Sequence, residues 1–129
     1  MDNFDKILIF DYGSQYTQLI ARRIRELKVY SEICSHNISL DDLKRKSPKA
    51  IILSGGPMSV YDKKAYKLNE NIFDLNIPVL GICYGMQLLM QNFGANVSQS
   101  DIREYGHMKI YPNQKTPLFK NVERENSVW

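Results

Sequence analysis

A short apolar segment that turns into a helix at a cysteine constrains this 129-residue sequence more than any other feature. The uncharged residues 79–82 end within the pattern Gly81-x-Cys83-x-Gly85, and a helical pattern follows at once. A strand and a helix joined this tightly form a nucleophile elbow, which holds its central residue in a strained conformation. Glycines on both sides let the strand and the helix approach closely because they lack a Cβ atom. The pattern therefore makes Cys83 a candidate nucleophile.

The position of Cys83 at the start of a helix favours this chemistry. Unpaired N–H groups and the positive end of the helix dipole both stabilise a thiolate. The N–H of Tyr84 is expected to point toward an oxyanion formed when Cys83 attacks. The alternative is that Cys83 is a small buried hydrophobic residue, the commonest role of a cysteine in an apolar segment. The five residues of the pattern do not decide between these roles.

The composition is that of one globular domain. Hydrophobic residues make up 43% of the chain and charged residues 24%, which is ordinary for a soluble protein. The net charge of +3 is small and the basic residues are scattered, so no nucleic-acid surface is predicted. No apolar segment approaches the roughly 20 residues of a membrane span, and no secretory signal is recognised. With only two cysteines, no disulfide framework is expected, and a cytoplasmic location fits best.

Strand and helix patterns alternate along the chain. Apolar runs predict strands at residues 6–10, 30–34, 50–53, 79–82, 95–98 and 108–111. Helical patterns are found at residues 14–27, 39–47, 67–75 and 84–93. In the first helix, Ser14 is expected to be the cap, and the apolar face is predicted to comprise Tyr16, Leu19, Ile20, Ile24 and Leu27. The alternation predicts an α/β fold with a doubly wound, mostly parallel sheet and helices on both faces.

Three loops of this fold are expected to meet in one site. In such sheets, ligands bind beyond the carboxyl ends of the strands, where residues 11–14, 54–57 and 83–85 lie. Residues 54–57 read Ser-Gly-Gly-Pro, a loop whose exposed N–H groups suit a negative oxygen. A tight turn without a ligand is the commoner role of Gly-Gly-Pro in isolation.

Three segments resemble the class I glutamine amidotransferase family, namely residues 10–26, 53–57 and 78–89. The resemblance covers nearly the whole chain and implies a flavodoxin-like fold. Residues 11–17 and the link 103–106 are typical of the amidotransferase domain of GMP synthetases. Relatives of the anthranilate synthase or carbamoyl-phosphate synthetase type are therefore less expected.

The resemblance implies roles for four residues. Cys83 attacks the side-chain amide of L-glutamine, forms a γ-glutamyl thioester and releases ammonia. Backbone N–H groups of Gly56 and Tyr84 hold the oxyanion. Gln87, one helical turn past Cys83, helps to bind the glutamine. No metal or cofactor is expected for these steps.

The histidine base of that family and its orienting glutamate have no counterpart in this sequence. Its two histidines, His36 and His107, are not followed by glutamate two positions later, and both are expected to be structural or solvent-facing. In the family the histidine motif comes just after a Val-Trp dipeptide, and this sequence stops at Val128-Trp129. We therefore expect an incomplete chain that lacks the catalytic histidine and glutamate and has little or no glutaminase turnover by itself.

The resemblance also implies partners outside this sequence. Residues 1–129 are expected to be part of an amidotransferase domain, joined in the full-length protein to a synthetase domain. That domain uses ATP and Mg to adenylate XMP and aminate it to GMP, and the full-length protein is expected to be a homodimer. Two other functions stay open: an amidotransferase subunit of another synthase, and a non-catalytic flavodoxin-like module whose cysteine responds to oxidants.

Overall fold

The structure is a computed structural model that describes residues 4–102 and 106–129. It divides into two compact units, Met1–Ser98 and Gln99–Trp129. Most of the predicted link 103–106 lies outside the described residues. None of the helices in the described ranges has the length and apolar character needed to cross a membrane.

A four-stranded parallel sheet forms the centre of the first unit. Its strands are β1 (Lys6–Asp11), β2 (Tyr30–Ser35), β3 (Ala50–Leu53) and β4 (Val79–Gly81). Their spatial order is β2-β1-β3-β4, so β2 lies on one side of β1 and the chain then crosses to the other side for β3. This reversal opens a crevice between the carboxyl ends of β1 and β3. The predicted parallel α/β fold is confirmed.

Helices cover both faces of this sheet. They are α1 (Thr17–Glu26), α2 (Leu40–Lys46) and α3 (Tyr84–Asn92), with a 3-10 helix at Glu70–Leu75. Successive residues of β1 point to opposite faces, as in any strand. Ile9 belongs to a cluster with Ala21 of α1, whereas Leu8 belongs to a cluster with Leu43 of α2 and Leu88 of α3. The prediction of helices on both faces is therefore also confirmed.

The first helix differs in detail from its prediction. It begins at Thr17, and the Ser14 hydroxyl accepts a hydrogen bond from the N–H of Tyr16 (3.0 Å) rather than capping the first turn. The fully buried residues of α1 are the small Thr17 and Ala21, while Ile20 and Ile24 of the predicted apolar face pack, partly buried, against the cluster that contains Ala21. A pattern based on large apolar side chains misses the two small residues, and it wrongly placed three exposed residues on the buried face: Tyr16, Leu19 and Leu27.

Two other predicted elements were wrong. The helix predicted at residues 67–75 is only the 3-10 helix Glu70–Leu75, because the Asn69 side chain accepts a hydrogen bond from the N–H of Asn71 (3.3 Å) and starts a new turn there. Residues 95–98 pair with no described strand, and Val97 instead packs, half-buried, against the core. Residues 67–75 have the apolar spacing of a helix, and residues 95–98 that of a strand. In the first segment the Asn69 hydrogen bond starts a shorter helix, and in the second no described strand lies in pairing position.

The second unit contains an antiparallel pair of short strands, β5 (Met108–Ile110) and β6 (Asn126–Val128). An ion pair between Lys109 and Glu125 (2.6 Å) lies beside this pairing. The strand predicted at residues 108–111 is confirmed, whereas its partner β6 was not predicted.

Backbone packing fixes the junction between β4 and α3. A Cβ atom added to Gly85 would lie 2.3 Å from the carbonyl oxygen of Leu53, and one added to Gly81 would lie 2.6 Å from Cα of Met86. Gly85 also donates its N–H to the carbonyl of Ser54 (3.1 Å). Since the nearest atoms belong to the backbone, no side-chain rotation could make room for a larger residue. The sharp turn therefore requires glycine at both positions.

Replacing Gly85 with alanine is expected to lower the free energy of unfolding by about 3 kcal/mol or more, because the new methyl group overlaps the backbone of β3. Gly55→Ala is the matched control, since its Cβ atom would meet Cys83 Cβ at an ordinary contact distance of 3.5 Å. Its unfolding free energy should stay within about 1 kcal/mol of the unsubstituted value. Urea denaturation of both variants measures the difference, and equal effects would contradict the packing argument.

A second prediction concerns Glu32 of β2, which joins three elements. Its carboxylate accepts a hydrogen bond from Lys46 of α2 and lies 3.5 Å from Nζ of Lys6 in β1. The hydrogen bond from Lys46, aided by both lysine charges and opposed by burial, lowers the pKa of Glu32. A lowered pKa in the folded state stabilises the fold above the unfolded-state pKa, and this contribution is lost as the pH falls through the folded-state value.

Glu32→Gln is therefore expected to reduce the free energy of unfolding by about 1 kcal/mol at neutral pH and by much less at about pH 3. Glu26→Gln serves as the control, because Glu26 pairs with Arg22 and Arg23 only at the exposed surface of α1. Its effect should be smaller at neutral pH. Urea denaturation at both pH values tests this, and a loss of equal size in acid would show that the carboxylate charge is not responsible.

Candidate active site

A cavity of about 420 Å³ opens at the carboxyl ends of β1, β3 and β4. Its lining residues come from three loops: Gly13, Ser14, Gln15, Tyr16, Gly55, Gly56, Pro57 and Cys83. The loops that the sequence pattern singled out therefore meet in one place. A larger cavity of about 620 Å³ lies between residues 60–70 and α3, but neither cysteine lines it. Size alone does not identify the site.

Cys83 occupies the turn between β4 and α3 in a strained conformation. Its backbone dihedrals are φ 51° and ψ −113°, a combination that costs a non-glycine residue about 1–3 kcal/mol. The side chain is exposed and faces the cavity lined by Gly55 and Gly56. An exposed thiol held at a strained turn does not fit the alternative of a buried hydrophobic residue. The placement is that of a nucleophile elbow.

The other cysteine has a different environment. Cys34 lies half-buried in β2 and packs against the core. Burial, followed by the negative charge of Glu32, raises the pKa of its thiol to about 12, although Lys46 acts in the opposite direction. Cys34 therefore remains protonated at neutral pH and is a poor nucleophile. Its position agrees with the core role expected from the sequence.

Two backbone N–H groups, one in the Gly-Gly-Pro loop and one directly after Cys83, have no acceptor among residues 4–102 and 106–129. One belongs to Gly56, which lines the cavity, and the other to Tyr84, the residue after Cys83 and the first of α3. Gly56 lies so close to Tyr12 that an added Cβ atom would be 2.7 Å from the Tyr12 carbonyl oxygen. Such N–H groups can stabilise a negatively charged oxygen next to the thiol.

The side chain of Tyr84 anchors the start of α3. It is 2% exposed, and its hydroxyl accepts a hydrogen bond from the N–H of Tyr66 (2.9 Å) and donates one to the Tyr66 carbonyl (3.3 Å). The ring of Tyr12 meets it edge-on, with centroids 5.5 Å apart. From the sequence, only the backbone of Tyr84 was given a role, because nothing in its local pattern reveals a partner 18 residues away.

Gln87 lies one turn beyond Cys83, as the sequence predicted, and its N–H donates to the Cys83 carbonyl (3.1 Å). Its half-buried side chain is not among those that line the cavity. Gln15 and Tyr16 do line it, and neither was predicted as a site residue. The one available signal was their position directly after the first predicted strand-end loop.

Asp11 shapes the loop that carries these two residues. Its carboxylate accepts hydrogen bonds from the N–H of Gly13 (2.8 Å) and from the Thr17 hydroxyl (3.3 Å). Gly13 has a φ of +90°, and a Cβ atom added to it would lie 3.5 Å from the ring of Pro57. The loop after β1 therefore lies close to the loop after β3.

The two histidines have other surroundings. His36 follows β2, its ring stacks on Tyr12 with centroids 5.2 Å apart, and its Nδ1 lies 3.2 Å from the carbonyl oxygen of Asp11. It does not line the cavity. His107 belongs to the second unit, where its ring meets that of Trp129 edge-on at 6.0 Å. In the part of the chain that the structure describes, no group of three or more histidine, cysteine, aspartate or glutamate residues could hold a metal ion.

Comparison with known proteins gives a consistent result. The family described as "Glutamine amidotransferase class-I" matches residues 8–129. GMP synthase [glutamine-hydrolyzing] of Campylobacter lari is 58% identical over 123 residues, covering 95% of this chain and 24% of the relative. The protein of the same name from Pediococcus pentosaceus is 51% identical over 130 residues, covering 100% of this chain and 25% of the relative. The chain thus spans about a quarter of the length of these curated relatives.

A solved structure extends the likeness to three dimensions. The crystal structure of a protein described as a GMP synthase subunit from Thermoplasma acidophilum superposes with a TM-score of 0.81 at 29% identity, covering 100% of this chain and 65% of that chain. Together with the match over residues 8–129, this shows that the chain belongs to the class I glutamine amidotransferase family.

Proposed function

We propose that this chain provides the glutamine-hydrolysing site of a GMP synthase. One observation carries the proposal: the exposed, strained Cys83 lines one cavity with Gly56, and the N–H groups of Gly56 and Tyr84 have no acceptor among the described residues. A thiol and two such donors are the groups that attack on an amide requires. The names of the similar proteins support the assignment.

The proposed reaction begins with attack of the Cys83 thiolate on the side-chain amide carbon of L-glutamine. The C=O electron pair moves to the oxygen, and the N–H groups of Gly56 and Tyr84 stabilise the resulting negative charge. Removal of one such donor lowers the rate of a reaction of this kind by about 10²–10³-fold. The carbon–nitrogen bond then breaks, ammonia leaves with an added proton, and a γ-glutamyl thioester remains on Cys83. Water hydrolyses the thioester to glutamate and restores the thiol.

Gln87 is proposed to contact the bound glutamine, on the basis of the family resemblance and its place one turn after Cys83. Gln15 and Tyr16 are proposed as further contacts, since they line the same cavity as Cys83. None of these residues is charged, so they would act by hydrogen bonding and packing around the substrate.

The proton transfers of this reaction need a general base and acid. His36 is held between aromatic rings away from the cavity lining, and no histidine in the sequence is followed two positions later by glutamate. We therefore propose that the histidine and glutamate of this chemistry are not among these 129 residues. The nucleophile and the oxyanion donors are the contribution of this chain.

The ammonia is proposed to be used by a synthetase domain in a longer protein, which adenylates XMP with ATP and Mg and aminates it to GMP. The relatives named GMP synthase are about four times as long as this chain, which leaves room for such a domain. We propose a homodimeric, cytoplasmic enzyme. A subunit of anthranilate synthase type is less favoured by these names, and an oxidant-sensing module would not need two N–H donors beside its cysteine.

Alkylation by acivicin, a glutamine-like electrophile, tests the site directly. Cys83 is expected to react selectively, with free L-glutamine slowing the reaction, while the half-buried Cys34 stays unmodified because its thiol is protonated at neutral pH. Mass spectrometry of peptides from the labelled chain reads both sites. Equal labelling of the two cysteines, or labelling of Cys83 that L-glutamine does not slow, would contradict a glutamine site.

The link to GMP formation is tested by Cys83→Ala in a full-length protein that contains this chain, the proposed histidine and glutamate, and the proposed synthetase domain. Formation of GMP from glutamine should fall to background, because no nucleophile remains, whereas formation from added ammonium should persist. Cys34→Ala is the matched control and should leave both rates nearly unchanged. If Cys83→Ala left the glutamine-dependent rate intact, the role of Cys83 would be wrong.

A further inference from the structure

Ser54 lies between β3 and the Gly-Gly-Pro loop, and it is completely buried. We infer that Ser54 is a positioning residue, which sets the orientation of the two oxyanion donors relative to each other. This inference rests on the proposed function, since it assigns Ser54 a part in the same reaction. Its support comes from four hydrogen bonds that Ser54 makes to separate elements.

The hydroxyl of Ser54 controls the first donor. It accepts a hydrogen bond from the N–H of Tyr12 (3.3 Å) and donates one to the carbonyl oxygen of Gly55 (3.1 Å). Because a trans peptide bond is planar, the Gly55 carbonyl and the Gly56 N–H lie in one plane and point in opposite directions. Holding the carbonyl toward the buried hydroxyl therefore turns the Gly56 N–H away from it. Gly56 itself lines the cavity.

The backbone of Ser54 controls the position of the second donor. Its carbonyl accepts a hydrogen bond from the N–H of Gly85 (3.1 Å), the residue next to Tyr84. Its own N–H donates to the carbonyl of Phe10 at the end of β1 (3.2 Å). One residue thus connects β1, the Gly-Gly-Pro loop and the first turn of α3. The two donors approach one oxygen correctly only if these three elements keep a fixed arrangement.

Ser54 does not line the cavity, so its substitution should change the rate of the chemical step and not the affinity for glutamine. In Ser54→Ala the backbone hydrogen bonds remain, but the Gly55 carbonyl loses its donor and the Tyr12 N–H loses its acceptor. The Gly55–Gly56 peptide can then rotate. When negative charge develops in a reaction, displacement of one donor lowers the reaction rate by about ten- to a hundredfold.

The experiment compares two alkylating reagents on the 129-residue chain. When acivicin reacts, the sulfur of Cys83 adds to a carbon–nitrogen double bond, negative charge develops on that nitrogen, and chloride then leaves. Iodoacetamide reacts by direct displacement of iodide and needs only an accessible thiol. Ser54→Ala is expected to slow the labelling of Cys83 by acivicin by about ten- to a hundredfold. The rate at which iodoacetamide labels Cys83, and the concentration of L-glutamine needed to protect Cys83 from acivicin, should both stay unchanged.

Two controls separate positioning from folding. Ser31 is another completely buried serine, and its hydroxyl donates to the Ala21 carbonyl (2.9 Å) beneath α1. Ser31→Ala removes an equivalent hydroxyl and should keep the acivicin rate of the unsubstituted chain. Cys34 reports on folding, because iodoacetamide labels it only when the core opens.

The results distinguish the inference from the proposed function. An unchanged acivicin rate in Ser54→Ala overturns the positioning role, and so does an equal loss in Ser31→Ala or increased labelling of Cys34 in Ser54→Ala. If the unsubstituted chain shows no glutamine-protected labelling of Cys83, the proposed function itself fails and the inference fails with it.

Discussion

The backbone contact between β3 and α3 is the constraint on which the rest of the site depends. Gly85 lies against the Leu53 carbonyl with no room for a Cβ atom, and its N–H bonds to the Ser54 carbonyl. This contact places the first turn of a helix directly beside the end of a neighbouring strand. The strained Cys83 and the Gly-Gly-Pro loop are neighbours for that reason. The strain at Cys83 persists because packing on both sides of the turn determines its conformation.

The order of the strands in the sheet determines which loops surround the cavity. Since β1 lies between β2 and β3, its carboxyl end borders the crevice, and the loop that follows it closes one side of the cavity. Beneath that loop, the rings of Tyr12, His36, Tyr66 and Tyr84 pack together. These rings connect the first residue of α3, Tyr84, to Tyr12 directly after β1. His36 packs within this group of rings and does not line the cavity, whereas Cys83 does.

Most of the fold could be predicted because its strands and helices differ in the period of their apolar residues. The strands β3 and β4 are short uncharged runs, and Ser39 caps α2 by accepting a hydrogen bond from the N–H of Asp42 (3.1 Å), as local pattern alone can indicate. Errors arose where tertiary contacts outweighed local pattern. The fully buried residues of α1 are small, and residues 95–98 have a strand-like composition but pair with no strand in the described part of the chain.

For the site, the sequence by itself determined the position of Cys83 at a strand-to-helix turn, the glycines that permit this turn, and the Gly-Gly-Pro loop that lies in the same cavity. Those features depend on backbone conformation, which a few adjacent residues encode. Only the tertiary structure decided that Gln15 and Tyr16 line the cavity while Gln87 does not, that Tyr66 anchors Tyr84, and that the hydroxyl of Ser54 bonds to both Tyr12 and Gly55. Nearly all of these contacts join residues that are distant in the chain. The order of strands in the sheet brings them together, and no local pattern specifies that order.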